Sequence, residues 1–301
     1  MKQQYKTDKI VVICNGLGDL ISANVAFEHF HTLYKSDLYL ITWPGIFYES
    51  QLYNPNFKAV FGIGGQPQDQ YQWAIQNGFL QQEIVVLDNI VHYARNCGKC
   101  GNFDIDWWWK TLYSFNLTLT EGYCLNLIGE IPSNLRPKFY ITENDNNYYK
   151  QLQDFRPYIV INHTTGTNRS NKEWPLSNWH SLINLILDKY PFNIITVGQQ
   201  NDVIIPIENN HKNRIKHLRD TSIRELYPIL CNAAFHILSQ SGIAWMSECT
   251  DVPSIQLNIG GPSSIVGNKS PHCIVVDQLG VFNPDSVTIN MVWNAIQEKF
   301  S

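Results

Sequence analysis

NHTTGTNRSNKEWPLSNW, residues 162–179, follows a short apolar run, Tyr158–Asn162, and leads into a helical pattern. LSQSGIAW (238–245) repeats the form: the apolar run Phe235–Ser239, a Ser-Gly turn, then an apolar helix. A polar loop between a buried strand and a helix is the repeating unit of a parallel α/β sheet. Such loops gather at the carboxyl ends of strands, where amides and hydroxyls can meet an anion. His163-Thr164-Thr165-Gly166-Thr167 brings two hydroxyls and a glycine just after its strand. Lys172 adds a point charge, and Ser241-Gly242 starts a helix. Together they point to a ligand that carries a diphosphate. Each loop taken singly also reads as ordinary turn chemistry.

The same pattern extends over the chain. Short, nearly continuous apolar runs occur at Ile10–Cys14, Leu38–Thr42, Ile84–Leu87, Asn193–Val197, Ser254–Asn258 and Cys273–Val276. Runs of this kind suit strands covered on both faces. Helical spacing separates them: Leu20, Ala23, Phe27, Phe30 and Tyr34; then Trp179, Leu182, Ile183, Ile186, Leu187 and Tyr190 behind Ser177 as a cap; then Ile223, Leu226, Ile229 and Leu230. The expected fold is α/β and doubly wound. The pattern lapses between about 130 and 157, where IPSNLRPKF and ENDNN are rich in turn residues. Two Rossmann-like domains are therefore expected, 1–152 and 157–284.

With 301 residues and 44% apolar content, the chain can fill two cores. A net charge of −4 argues against a nucleic-acid footprint. MKQQYKTDK lacks the apolar centre of a signal peptide, and no run of about 18 apolar residues occurs. The expectation is a cytoplasmic protein without a transmembrane segment, with peripheral contact at the inner face of the membrane left open.

The first half carries its own motifs. Gly16-Leu17-Gly18-Asp19 follows the first strand, yet Ile21 replaces the third glycine of a dinucleotide fingerprint and no acid ends the second strand. Asp19 then reads either as a helix cap or as a general base at the carboxyl edge of the sheet. Cys97-Gly98-Lys99-Cys100 has the spacing of half a metal site, without a second tight pair; it reads chiefly as a loop with two free thiols, so no metal and no cofactor are expected. Asp104-Ile105-Asp106 and Trp107-Trp108-Trp109 read as a solvated turn and edge packing. No GxSxG, HExxH or P-loop occurs, which removes hydrolase triads and kinase chemistry.

On several segments the chain resembles the ADP-heptose:lipopolysaccharide heptosyltransferases, a family of inverting GT-B glycosyltransferases. GLGDLISANVAFEHF (16–30) is similar to their opening glycine-aspartate segment. NHTTGTNRSNKEWPLSNWHSLINLI (162–186) resembles their threonine-rich loop, lysine, Trp-Pro and helix. VGQQND (197–202) and the run LRDTSIRELYPILCNAAFHILSQSGIAWMSECTDVPSIQLNIGGPSS (218–264) resemble the donor-site segments, in the same order. The resemblance implies two domains facing a central cleft, with a last helix in 285–301 packing back toward the first. It implies Asp19 as the base, with Gly18 beside it. It implies Thr164, Thr165, Lys172, Ser241, Gly242 and Gly261 at the diphosphate, Thr221 at the nucleobase and Asp202 near the ribose. Gln240 and Trp245 stand where the family has aspartate and histidine. That version of the turn resembles the branch that glycosylates autotransporter proteins, whose cysteine iron site Cys97 and Cys100 do not match.

The expected activity is inverting, metal-independent transfer of a sugar, foremost heptose from ADP-heptose, to a hydroxyl of a lipopolysaccharide, glycan or protein. The nucleotide sugar is a cosubstrate, and the acceptor is expected on the first domain. A nucleotide-sugar-binding protein without catalysis is the alternative, and a UDP-sugar epimerase-like enzyme a weaker one.

Overall fold

The computed structural model describes residues 7–87, 117–165, 172–259, 267, 270–277 and 284–300. The chain divides into two units, Met1–Tyr140 and Ile141–Ser301.

In the first unit β1 (Lys9–Ile13), β2 (Asp37–Thr42), β3 (Ala59–Gly62) and β4 (Ile84–Val86) form a parallel sheet in the order β3-β2-β1-β4. Helices α1 (Leu17–Leu33), α2 (Ile46–Gln51), α3 (Pro67–Gln76) and α4 (Leu119–Leu127) complete it. β1 is central, and Ile10 to Ile13 are fully buried, as a strand covered on both faces must be. One cover is α3, whose Tyr71 and Ala74 join Val11, Ile13, Ile41 and Phe79 in a cluster. α1 packs against α4, so Leu20, Ile21, Ala23, Val25, Ala26, Phe27 and Phe30 are all buried. A helix apolar over most of its circumference is what such double burial requires.

The second unit holds a parallel sheet in the order β10-β9-β8-β5-β6-β7, from β5 (Tyr158–Asn162), β6 (Asn193–Val197), β7 (Ile215–Leu218), β8 (Phe235–Ser239), β9 (Ser254–Leu257) and β10 (Cys273–Val276). Its helices are α5 (Asn147–Lys150), α6 (Leu176–Lys189), α7 (Ile223–Cys231), α8 (Gly242–Ser247) and α9 (Ile289–Phe300). Ile159, Ile161, Ile237, Ile255 and Leu257 from the sheet pack with Trp179, Leu182, Ile183 and Ile186 of α6 and Val292, Ala295 and Ile296 of α9.

The segment Glu143–Lys150 packs on α7 and Asp145 pairs with Arg224 at 3.2 Å, so this segment belongs to the second unit. The last helix spends its apolar face in the second unit's core, against α6, β9 and β10. Ser177 does not cap α6: Pro175 holds the N-cap position, and Ser177 lies in the first turn, its carbonyl accepting from Ser181 Oγ.

Candidate active site

The second sheet reverses its winding beside β5. The chain proceeds outward through β6 and β7 on one side, then returns to build β8, β9 and β10 on the other. The carboxyl ends of β5 and β8 are therefore the switch point of the sheet, the usual ligand position in an open parallel sheet. Ser241 Oγ donates to Asn162 Oδ1 at 2.8 Å, tying the ends of β8 and β5 together. The same Ser241 oxygen receives the Ala244 amide at 3.4 Å, so it also caps α8, which Gly242 opens. Gln240 is buried, and its Oε1 has no hydrogen-bond partner among the described residues. Trp245 is buried on α8.

The loops after β5 and β6 meet at a carboxylate. Asp202 accepts from Thr164 Oγ1 at 2.7 Å and from the Gln199 amide at 2.6 Å. A Cβ on Gly198 would meet Asp202 Oδ2 at 2.5 Å, which is why glycine stands there. Asp202, expected near a ribose, is thus buried as a clamp between two loops. Thr164 commits its single hydroxyl proton to that clamp. Thr165 donates its amide to Glu173 at 3.0 Å, while Lys172 is half-buried at the same bend. Trp174 anchors the bend from below through Nε1–H to the Val287 carbonyl at 2.7 Å and an edge contact on Trp179. Thr221, half-buried, follows β7.

A group of residues that the sequence reading missed lines this edge. Arg219 donates to the carbonyls of Thr196 and Leu218 at 3.1 and 3.0 Å, and to Thr196 Oγ1 at 3.3 Å. Burial holds its guanidinium below the usual value, and the charge of Asp202 offsets part of that. His163 donates Nε2–H to the Val203 carbonyl at 2.8 Å, and His217 pairs through Nδ1 with Thr196 Oγ1 at 2.7 Å. Both imidazoles are pushed down, first by burial, so neutral rings are favoured. No signal in the sequence marked them, because Lys216 and His217 interrupt the apolar run that would have revealed β7 and its following Arg219.

In the first unit, Gly16 is the N-cap of α1 with φ of 89°, and Asp19 stands in the first turn. Asp19 does not occupy the cap position. Its carboxylate folds back over Gly16, where a Cβ would lie 2.3 Å from Oδ2. Tyr123 Oη, on α4, donates to Asp19 Oδ1 at 2.6 Å. Gly18 accepts from Ser22 Oγ at 2.7 Å through its carbonyl. Just before the turn, buried Asn15 and Gln70 exchange two side-chain hydrogen bonds at 2.9 and 3.1 Å, fixing the exit from β1. Gly261, Cys97, Cys100, Asp104, Asp106 and the three tryptophans lie outside the described residues. Among the described residues, no group of three or more His, Cys, Asp or Glu is placed to hold a metal ion, and no helix is long and apolar enough to cross a membrane.

Two units built on parallel α/β sheets are the architecture of the GT-B fold. Residues 116–259 match the family described as glycosyltransferase family 9 (heptosyltransferase). Among solved structures, E. coli ADP-heptose lps heptosyltransferase II superposes with a TM-score of 0.73 at 13% identity, covering 97% of this chain and 98% of that one. E. coli heptosyltransferase WaaC with ADP gives 0.64 at 16% identity, over 96% and 100%. The iron-containing dodecameric glycosyltransferase TibC of enterotoxigenic E. coli gives 0.60 at 13%, over 99% of this chain and 77% of that one. These likenesses establish a shared fold. A search of curated proteins finds no match to the sequence.

Proposed function

We propose that the protein transfers heptose from ADP-heptose to an acceptor hydroxyl with inversion and without a metal. The single observation that carries this reading is the β5/β8 switch point, bridged by Ser241 and Asn162, with half-buried Lys172 in the loop that leaves β5. The nucleotide diphosphate lies against Lys172, the Thr165 hydroxyl and the first amides of α8. Those groups balance the charge that develops as the leaving group departs. The neighbours crystallised with ADP and with ADP-D-beta-D-heptose support the choice of donor. In the first unit, Asp19 accepts the proton of the attacking hydroxyl as the oxygen closes on the anomeric carbon from the face opposite the diphosphate. The acceptor is a glycan, a lipopolysaccharide or a protein side chain, bound on the first unit.

The test is release of ADP from ADP-heptose in the presence of heptose-free lipopolysaccharide or a hydroxyl-bearing peptide. Turnover should persist in excess chelator and fall by roughly 10²–10⁴-fold in Asp19→Asn, with ADP affinity kept. Wild-type turnover in that variant removes Asp19 as the base. Gln240 and Trp245, buried where the resemblance places an aspartate and a histidine, favour a second reading, a binder without catalysis. Tight ADP-heptose binding with no turnover on any acceptor would select it.

A further inference from the structure

The strongest observation not used by that reading is the bond from Tyr123 to Asp19. Tyr123 is fully buried on α4, while the Asp19 carboxylate is half-exposed. Their separation of 2.6 Å lies in the range of charge-assisted O–H···O⁻ bonds. The two residues are 104 positions apart in sequence, brought together by the packing of α4 on α1. Resting on the reading of Asp19 as the base, we propose that Tyr123 is a positioning residue: its phenol pins one carboxylate oxygen of Asp19 and so fixes the rotamer in which that group meets the acceptor hydroxyl. Gly16 is the other half of the device, since any side chain there would strike Oδ2 and turn the carboxylate away. Neighbouring titratable groups on α4 do not compete for this task. Glu121 accepts the Thr118 amide, and burial pushes the Cys124 thiol up to about 12, which keeps it neutral.

Tyr123→Phe removes the donor and keeps the ring. Carboxyl ¹³C NMR of aspartate-labelled protein, with Asp19→Asn identifying the resonance, reads the titration of Asp19 directly. A charge-assisted bond favours the ionised form, so its loss should raise the midpoint by about one pH unit or more. ADP affinity should be unchanged. ADP release from ADP-heptose should fall about ten- to a hundredfold in kcat with KM kept, as expected when a reacting group loses its orientation. If the variant does not fold, the tyrosine Cζ resonance compared between wild type and Asp19→Asn reads the same bond without altering the core. An unchanged midpoint, or an unchanged Cζ resonance, overturns the proposal. Turnover retained in Asp19→Asn overturns the base reading instead, and the titration still decides whether Tyr123 holds the carboxylate.

Discussion

Asp19 and Lys172 stand out as candidates in the chain because each follows a strand, in a loop whose glycines and hydroxyls are themselves signals. Tyr123 and Arg219 do not, since their roles come from tertiary partners. A tyrosine within an apolar helix is indistinguishable in sequence from core filling, and only the packing of α4 on α1 aims its hydroxyl at Asp19. Asp202, which the family resemblance places near a ribose, accepts from Thr164 and from the Gln199 amide, partners that its place in the sequence does not announce. Gly16 gives the sharpest prediction at this scale. Its φ of 89° disfavours a side chain, and a Cβ would lie 2.3 Å from Asp19 Oδ2. Gly16→Ala should therefore lose turnover with little change in ADP affinity, measured by ADP release and calorimetry side by side; unchanged turnover contradicts the placement of the carboxylate.

Most strands were legible because burial on both faces forces unbroken apolar runs, and Tyr158–Asn162, Asn193–Val197, Phe235–Ser239 and Cys273–Val276 match to the residue. β3 and β7 were missed for the same reason in reverse. Both lie at sheet edges; β3 has no fully buried residue, and Lys216 and His217 interrupt β7. The loop clamp between β5 and β6 is the element whose stability the site depends on. Asp202→Ala leaves the Gln199 amide and the Thr164 hydroxyl without their acceptor. It should cost about 2 kcal/mol or more in a urea melt and weaken ADP binding as the two loops separate. Loss of stability with full ADP affinity would show that the clamp serves folding alone.

For the whole molecule, two parallel α/β units were legible, while the turn-rich stretch after Tyr140 hides short helical segments that dock on α7. Acid sensitivity is a property at this scale. His236 is fully buried on β8, and burial lowers it to about 4 from an ordinary 6.5, while His163 and His217 are pushed the same way. The unfolded chain therefore binds more protons than the folded one between those values. Stability is complete above about pH 6.5 and is lost as pH falls toward 4, by an amount on the order of 3 kcal/mol from His236 alone. Melting temperatures across that range should fall below pH 6.5, ahead of carboxylate protonation; a flat profile down to pH 5 contradicts it. The central claim concerns the switch point of the second unit's sheet, and calorimetric titration with ADP tests it most directly. Saturable binding by the wild type, weakened about tenfold or more in Lys172→Ala through loss of the diphosphate's counter-charge, is the expected result. No ADP binding by the wild type, or equal affinity in the variant, would contradict the account.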